Sequence, residues 1–555
     1  MIRKRINIQS QLDAVNQAAA QALASAQSAV SVSQGQATSR PSTRPVFALD
    51  FANSRFWDPR LTFTRSGGDI ATYIDKQGVL RTAKGNQPRF THDPLTKKCL
   101  GLLREESRAN LFTYSNSFSR TEWGKVRSNI VIDANVLAPD GLPSQKLVED
   151  TTANLSHQIS RGDIVATVGQ KYSSSIAVMM AEKRYVQVQL SGASVYGGIN
   201  PAVNVDLLTG SIVQTFNCES ATIERTSLGY YIVTVTQTVS VAGNTGINLL
   251  LLDDNKNIQY TGDGVSGVYV FNGQIELGAF STSPIVNTTT VQTRGADAIN
   301  LTGTNFQKAV GNLSEFTVLY SALKAKVRNT FTDYYRISGD DTAGGNNYCK
   351  LTDHQNSPRI YPEVMKNGVQ TYSYMNVNNA PFGSFFSHAI AVSATNTKSF
   401  VNNTADFSDN DVQVPSNLNR IDLSGGVTTI IAHFAIWNSR LTDAETQALT
   451  TTGLSGKNPN QIPTIADINR SAFVAPESLL CSISRQHFTI DGTGASITRN
   501  IRFNFDFDFE IVDSSGCAIT SQPSASCLAN TDNALVFSAP LGKSLTYAVT
   551  PKFEY

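Results

Sequence analysis

Short segments in which apolar and polar residues alternate constrain the fold of this chain more than any other feature. The alternation is clearest in residues 185–190, 223–225 and 231–236, and clusters of Asn and Gly separate these segments. A period of two residues is typical of a strand with one buried face. Strands of this length between turn residues predict an antiparallel β-sandwich across residues 130–284.

Length and charge narrow the class of protein further. A chain of 555 residues is too long for one hydrophobic core, so we expect several domains. Its 45 Lys and Arg against 44 Asp and Glu give a formal net charge of +1, without the basic surplus of a nucleic-acid binder. Charged residues make up only 16%, and Ser, Thr, Asn, Gln and Gly take their place. This composition favours a mainly β extracellular or fibre protein.

The first 45 residues form a segment of different character. Apolar residues recur there at alternating steps of four and three, which is a heptad seam. The seam consists of Ile8, Leu12, Val15, Ala19, Ala22, Ala26 and Ala29. We interpret it as an oligomerising helical stem with a flexible neck, and the alternative is a single helix lying on another protein.

The spacing of the cysteines and the length of the apolar runs bear on disulfides, metal sites and membrane segments. The six cysteines include no CxxC pair, so metal-site spacing is absent, and only Cys517 and Cys527 are close enough for a local disulfide. Free buried thiols are favoured over a disulfide for this pair. No apolar stretch follows the basic residues 1–7, and no run reaches the length of a membrane span. We therefore expect neither a signal peptide nor a transmembrane helix.

An ordered series of short motifs precedes and follows the predicted sandwich. The first part reads LDF at 49–51, DPRLTFTR at 58–65, ATYID at 71–75, PRF at 88–90, DP at 93–94, LGLL at 100–103, EESR at 105–108 and NL at 110–111. The return reads GDG at 262–264, GQIELG at 273–278, STSPI at 281–285 and TRGAD at 293–297. This series resembles a module of bacteriophage tail-fibre and other virion appendage proteins. The resemblance implies a jelly-roll of carbohydrate-binding-module type and names no catalytic residue.

A second sandwich is predicted from about residue 313 to 454. Strand patterns occur at 315–320, 335–338 and 399–403, and a Trp-bearing strand at 428–437 leads into SRLTDAE at 439–445. This ending resembles the closing segment of concanavalin-like, laminin-G-type domains. Thr442 and Glu445 also have the spacing of a helix capping box. We therefore predict tandem antiparallel β-sandwiches on a helical stem.

The predicted domains follow one another along the chain. They are a stem and neck at 1–45, a short-strand module at 46–120, a jelly-roll at 121–300, a concanavalin-like sandwich at 301–455 and a small β domain at 476–555. In the last domain, residues 503–510 alternate Phe with Asn, Asp and Glu, which predicts one aromatic and one acidic strand face.

Several residue patterns suggest chemistry, and each has a structural alternative. Asp506, Asp508 and Glu510 share a strand face but are too dispersed along it for Ca²⁺, so a solvated face is favoured. Asp340 with Asp341 resembles a metal-binding loop, and a hairpin turn is favoured. Residues 161–163 spell Arg-Gly-Asp, a tripeptide that also occurs by chance. The glycine-rich stretch 262–267 lacks the Lys-Ser/Thr of a phosphate loop, so we expect a turn.

Glycan binding is the one chemical role that the sequence supports. Aromatic faces stack on sugars, and Asn and Arg hydrogen-bond their hydroxyls. The candidate residues are Tyr334, Tyr335, Arg336, Tyr361, Tyr372, Tyr374 and Asn376. Core packing of the tyrosines is the alternative. His433 and Trp437, on an otherwise apolar strand, are expected in the core.

The resemblance to phage appendage proteins implies a virion fibre protein, and the residue patterns give no catalytic constellation, cofactor or metal site, so we predict a non-enzymatic role. Virion proteins fold in a reducing bacterial cytosol, which favours free thiols at Cys517 and Cys527. By resemblance such proteins are homotrimers that dock on the virion through the N-terminal part and meet bacterial surface polysaccharide with distal domains. Two alternatives stay open. One is a structural connector or head decoration, and the other is a glycan depolymerase, whose usual repeated short strands of a β-helix are absent from the sequence.

Overall fold

The computed structural model describes residues 44–450 apart from short gaps, and the strands between residues 486 and 552. The gaps lie at 54–56, 325–330, 340–344, 354–356, 374–379, 410–411, 424–425 and 427. The predicted stem, with its seam residues, lies outside the described residues. Two α-helices accompany the strands in the described part: α1, Gly303–Ala309, and α2, Asp443–Leu449. None of the helices in the described part is long and apolar enough to cross a membrane.

The strands fall into four groups along the chain. The first group is β1 Phe47–Asp50, β2 Thr62–Thr64, β3 Ala71–Ile74, β4 Leu80–Ala83, β5 Arg89–His92, β6 Cys99–Arg104 and β7 Arg108–Asn110. The second group is β8 Gly124–Val126, β9 Ser128–Leu137, β10 Pro143–Glu149, β11 His157–Ala166, β12 Lys171–Met180, β13 Tyr185–Ser191, β14 Ala202–Asp206, β15 Ser211–Phe216, β16 Ser220–Arg225, β17 Tyr231–Thr238, β18 Gly243–Leu251 and β19 Gly267–Leu277.

The remaining strands complete the chain. The third group is β20 Gln292–Arg294, β21 Ala298–Thr302, β22 Phe316–Lys324, β23 Thr332–Ser338, β24 Tyr348–Asp353, β25 Ile360–Lys366, β26 Val369–Ser373, β27 Ser384–Val392, β28 Thr397–Val401, β29 Thr404–Asp409, β30 Arg420–Asp422 and β31 Thr429–Trp437. The C-terminal group is β32 Gln486–Asp491, β33 Ser496–Ile501, β34 Asp506–Asp513, β35 Ala518–Ser521, β36 Ser526–Cys527, β37 Asn533–Ser538 and β38 Ser544–Lys552. The prediction of a mainly β fold of antiparallel sandwiches is confirmed.

One sandwich is inserted into the other. The framework sandwich, built from residues 44–110 and 292–450, has an eight-stranded sheet of order β29-β28-β27-β22-β31-β6-β5 with β1 also on β31, and a seven-stranded sheet of order β2-β21-β30-β23-β24-β25-β26. The inserted sandwich, residues 111–291, has two six-stranded sheets, β16-β17-β12-β19-β10-β9 and β15-β14-β13-β18-β11-β8. The chain enters and leaves it through β7 and β20, which pair antiparallel.

This topology corrects the predicted order of domains. Residues 46–110 are not a separate module, because β1 and β6 both pair with β31 and β2 pairs with β21. The strands from both sides of the insertion share one hydrophobic core, in which Phe47, Leu102, Phe316 and Phe434 are buried. Local sequence patterns identified the strands but not this pairing, which joins residues more than 300 positions apart.

A buried ionic network closes the junction between the two sandwiches. Arg89 contacts Glu105 at 2.7 Å and Asp297 at 2.5 Å. Arg65 contacts Asp297 at 3.1 Å, and Arg294 contacts Glu105 at 3.0 Å. All five side chains are buried. Buried charges are tolerated only when they are paired and hydrogen-bonded, so this network holds the chain before the insertion to the chain after it.

Neutral groups supply the remaining hydrogen bonds of the network. The Ser283 amide and hydroxyl both donate to Glu105 at 2.7 Å. Arg89 donates to the Thr72 carbonyl at 2.8 Å, and the Glu105 amide donates to Asp297 at 2.8 Å. These residues belong to the motifs that surround the insertion in the sequence. The motif series therefore marks the junction.

The same junction covers one face of the inserted sandwich. The hairpin β3–β4 packs Leu80 onto Ala177, Tyr230 and Phe271 of the sheet that contains β12 and β19. The Leu80 amide donates to the Pro139 carbonyl at 2.8 Å. We call this sheet the docked sheet. Its partner in the inserted sandwich, β15-β14-β13-β18-β11-β8, turns its outer face away from the core and from the docked sheet.

The local predictions in the framework sandwich are confirmed. Thr442 and Glu445 form a reciprocal capping box at the start of α2. Trp437 is buried under that helix. His433 is buried, and its Nε2 lies 2.9 Å from the Asp50 carboxylate. Burial alone raises the pKa of Asp50, but hydrogen bonds from His433 and Asn53 outweigh it and lower that pKa.

We predict that Glu105→Gln lowers the free energy of unfolding by about 3–5 kcal/mol, because it leaves buried guanidinium groups without their carboxylate. Chemical denaturation of the full chain measures the change. The control is Glu219→Gln, which removes a surface ion pair with Lys171 and should cost at most about 1 kcal/mol. Equal losses in both variants would show that the junction network does not stabilise the fold.

The same carboxylate predicts acid lability. Burial raises the pKa of Glu105, but Arg294 and Arg89 outweigh it, and the pKa lies at about 2 against an ordinary value of 4.5. Its folded-state pKa is depressed, so its contribution is complete above pH 4.5 and is lost as the pH falls toward 2. In the Glu105→Gln variant, the free energy of unfolding should therefore depend less on pH between about pH 4.5 and pH 2 than in the wild type.

His388 on β27 predicts a second pH effect. Its two ring nitrogens are buried without a hydrogen-bond partner among the described residues, and its cross-strand neighbours are Tyr320 and Val401. Burial lowers the pKa of His388 from 6.5 to about 3. Below pH 6.5 the His388 imidazole is protonated in the unfolded chain but stays neutral in the folded chain. The free energy of unfolding therefore falls as the pH drops below 6.5.

We expect His388→Leu to remove this part of the pH dependence. Denaturation at about pH 7.5 and about pH 5 should show a decline that is smaller in the variant by up to ~1.4 kcal/mol per pH unit. An unchanged decline would mean that the imidazole reaches water or a partner in the folded protein.

Candidate functional site

The outer face of the sheet β15-β14-β13-β18-β11-β8 carries a band of amide side chains. On β13, Val186, Val188 and Leu190 point into the core, so the alternation of the strand turns Gln187 and Gln189 outward. The same alternation applies to the neighbouring strands. We call this the amide face. Its outward amides are Gln158, Gln187, Gln189, Asn204, Gln214 and Asn248.

Strand register brings these amides side by side. Gln187 lies opposite Asn204, and Gln189 lies opposite Asn248. Asn204 in turn lies opposite Gln214 on the edge strand β15. Directly opposed residues on one sheet face are close enough for their side chains to interact. The band therefore runs across the strands rather than along one of them.

Hydrogen bonds link the amides into one chain. The Gln187 side-chain amide donates to Asn204 Oδ1 at 2.7 Å, and the Gln189 side-chain amide donates to Gln187 Oε1. The side-chain amides of Asn248 and Asn200 both donate to Gln189 Oε1 at 3.0 Å. Each central amide therefore has a partner that orients it, which reduces the entropy lost when a ligand binds.

Burial separates positioning residues from accessible ones. Gln187 and Asn204 are each only 4% exposed. Gln158, Gln189 and Asn248 are half-buried, and Gln214 is exposed. A ligand would therefore touch the second set, while Gln187 and Asn204 hold Gln189 in place.

Charged residues lie at the margin of the amide face. Arg184 forms two hydrogen bonds with Asp206, and these hold the pKa of Asp206 at about 2. Tyr185, at the same end of β13, is half-buried, with the Lys256 ammonium 4.9 Å from its ring centre. The margin thus adds an aromatic ring to the amides. Amides and an aromatic ring together suit the hydroxyls and C–H faces of a sugar.

The structure places three of the predicted glycan contacts in the core. Tyr334, Tyr335 and Tyr372 are at most 2% exposed. Tyr334 and Tyr335 both pack on Tyr320. The prediction of ligand contact is wrong for these tyrosines, and the packing alternative holds. The reason is a shift of register between Asp333 and Tyr335, which turns two successive tyrosines inward.

Arg336 and Tyr361 do lie on the outer face of the seven-stranded sheet. Arg336 stacks on Tyr348 at 3.9 Å, and Lys350 pairs with Glu363 at 3.3 Å. The charged side chains on this face therefore contact one another across neighbouring strands. Nothing in the structure tests Arg336 or Tyr361 as a ligand contact. Tyr374 and Asn376 lie outside the described residues.

The other sequence candidates have structural roles where they are described. Arg161 pairs with Asp163 at 2.8 Å and lies over the Phe112 ring, so the tripeptide is folded on itself. Residues 262–266 form the turn before β19, which begins at Gly267. Asp340, Asp341 and the side chains of the 506–510 row lie outside the described residues. Among the described residues, no group of three His, Cys, Asp or Glu side chains is arranged to hold a metal ion.

The cysteines that the structure describes form no disulfide with one another. They are Cys99, Cys218 and Cys349. The Cys517–Cys527 question stays open, because residue 517 and the side chain of residue 527 lie outside the described part.

A cleft of about 370 Å³ opens beside the junction. Among its lining residues are Glu106, Arg108, Lys171 and Phe280. Arg108 pairs with Glu106 and lies over the Phe280 ring at 4.8 Å, and Lys171 pairs with Glu219. Its charges are therefore neutralised within the protein, and the cleft offers less to a ligand than the amide face.

Sequence reasoning missed the amide face, although its signal was present. The alternation in residues 185–190 predicts a strand, and the polar half of that alternation supplies Gln187 and Gln189. Register was the missing information, because Asn204 and Asn248 come from strands that are separate in sequence.

Comparisons with known proteins give only distant likenesses. No protein-family model matches the chain, and no curated protein matches it. A solved structure of the CBM40 module of a Ruminococcus gnavus sialidase, bound to α2,3 sialyllactose, is 14% identical with a TM-score of 0.22 over 25% of this chain and 83% of that one. Sheep galectin-11 with glycerol is 14% identical with a TM-score of 0.18 over 23% and 92%. Scores this low carry no argument about function.

We predict that Tyr334→Ala lowers stability rather than glycan binding. Removing this buried ring should cost about 3–5 kcal/mol of unfolding free energy, whereas the matched variant Tyr361→Ala should change it by no more than about 0.5 kcal/mol. Thermal denaturation of both variants provides the comparison. Equal stability of the two would contradict the core assignment.

Proposed function

We propose that this chain is a glycan-binding protein of a bacteriophage virion appendage, and that the amide face of the inserted sandwich contacts the glycan. The observation that carries the proposal is the ordered row of amides on an accessible sheet face. An amide donates and accepts hydrogen bonds, so a row of them matches the alternating hydroxyls and ring oxygens of a sugar chain.

The chemistry of the face favours binding over catalysis. Amide side chains have no pKa near neutral pH, so they do not serve as general acid or base. Glycoside hydrolysis in most families uses two carboxyl groups on either side of the scissile bond. Among the carboxylates at the margin, Asp206 is engaged by Arg184, and Asp253 accepts a hydrogen bond from Asn257. We therefore propose a non-enzymatic role.

The virion location is supported by the motif series alone. The motifs at 88–90, 105–108, 281–285 and 293–297 resemble the phage module, and they contain the residues of the junction network. In the same proposal the N-terminal seam assembles a homotrimer and docks on the virion, the distal sandwiches meet bacterial surface polysaccharide, and the protein is made in the bacterial cytoplasm.

A structural connector is the second candidate function. The observation in its favour is the junction, where shared strands and buried ion pairs join the two sandwiches firmly. A spacer between virion parts needs such rigidity and needs no ligand surface. The two functions differ in one measurable respect, which is glycan binding by the assembled protein.

We predict that Gln189→Ala and Asn248→Ala each weaken glycan binding about 3- to 10-fold, because each removes one or two neutral hydrogen bonds. The measurement is binding of the full chain to an array of bacterial surface polysaccharides, followed by titration of the best ligand. Gln370→Ala, an exposed amide on β26 of the framework sandwich, is the matched control and should leave binding unchanged.

Two outcomes would contradict the proposal. Binding that survives both substitutions would move the glycan site away from the amide face. A correctly assembled wild-type protein that binds no polysaccharide would favour the connector.

A further inference from the structure

We infer that the ligand of the amide face is an uncharged oligosaccharide that lies across the strands. This inference rests on the proposed function and names the class of sugar that the same site takes. Three properties of the face carry it: the absence of charge inside the band, the excess of carboxylates over cations at its margin, and its length.

No charged side chain faces outward in the two central rows of the band. One row crosses β11, β18, β13, β14 and β15 through Gln158, Leu250, Gln187, Asn204 and Gln214. The adjacent row crosses the same strands through Ser160, Asn248, Gln189, Ala202 and Phe216. A carboxylate, sulfate or phosphate on a sugar would lose water here without gaining a cation, and that loss is costly.

The charges at the margin do not supply the missing cation. Arg184 is held by Asp206. Lys256 lies over Tyr185, in a loop that also carries Asp253 and Asp254. The end of the face near Tyr185 therefore has two cations and three carboxylates. It repels an anionic sugar slightly and leaves a neutral one unaffected.

The dimensions of the band call for more than one sugar ring. Five strands are separated by four spacings of about 4.8 Å, so the band is on the order of 19 Å long. Its hydrogen-bond chain runs in the same direction, from Asn248 through Gln189 and Gln187 to Asn204. A sugar chain laid across the strands meets accessible amides on four of the five strands, at Gln158, Asn248, Gln189 and Gln214. A chain laid along one strand meets two amides at most.

An outer sheet face of the framework sandwich shows the contrast. On the seven-stranded sheet, Arg336, Lys350 and Glu363 occupy neighbouring positions across three strands. The protein thus carries charged side chains on one sandwich face and amides on the other. The neutral character of the amide face is a local property and does not follow from the low charge content of the whole chain.

The experiment pairs neutral and acidic glycans of the same backbone and linkage. Full-length protein is titrated with a galacturonan as its free acid, with the same polymer after full methyl esterification, and with neutral glucan and galactan oligosaccharides of increasing length. Each titration is run at about 0.05 M and about 0.5 M NaCl. We expect the neutral members to bind, with affinity that rises with length and differs less than about twofold between the two salt concentrations.

A cation placed in the band provides the second arm. Gln214→Lys puts a positive charge on the exposed edge strand β15 without touching the core. It should create or strengthen binding of the free-acid polymer at low salt and lose that gain at high salt. Gln370→Lys, on the framework sandwich, is the matched control and should bring no such gain.

The outcomes separate this inference from the function on which it rests. Preference for the acidic polymers by the wild-type protein, with affinity that falls as salt rises, would overturn the neutral class and leave glycan binding intact. Equal affinity for a single sugar and for longer chains would overturn the extended ligand. Binding of none of the bacterial surface polysaccharides or test polymers would end both proposals.

Discussion

The junction network is the interaction on which the rest of the structure depends. Arg89 bridges Glu105, which comes just before the inserted sandwich, and Asp297, which comes just after it. About 190 residues separate these two carboxylates in sequence, and the same guanidinium holds both. Burying charges is costly unless every partner is in place, so the network forms only when the insertion is folded and its two ends have met. The pairing of β7 with β20 and the docking of the β3–β4 hairpin follow from the same closure.

This closure explains what the sequence could predict and what it could not. Strands such as β13 and β17 were predicted from alternation, and the capping box of Thr442 and Glu445 from local spacing, because both depend on neighbouring residues only. The division into consecutive domains was wrong, because the pairing of β1 with β31 depends on contacts that no local pattern records. The short motifs could be recognised in the sequence, but the sequence did not show that their charged residues meet in one buried network.

The candidate site also depended on strand register, which local sequence patterns do not record. Tyr334 and Tyr335 were proposed as ligand contacts because aromatic side chains near predicted strand ends suit sugar stacking. An irregular register beside Asp333 brought both into the core. The amide face was overlooked for the opposite reason. Each of its strands shows ordinary alternation, and only the register of β13 against β14 and β18 turns separate glutamines and asparagines into one surface.

The two sheets of the inserted sandwich have different surroundings: the docked sheet packs on the framework, and its partner sheet carries the amide face. The docked sheet is covered by Leu80 and its hairpin, so its outer face is apolar where it meets the framework. The partner sheet carries the amides on its outer face, across the full thickness of the sandwich from the junction. A ligand there can bind without disturbing the buried ion pairs, and the ion pairs fix the orientation of the face relative to the framework. A recognition surface held by a rigid support loses little orientational entropy on binding, and a row of neutral amides, each weak by itself, needs that advantage.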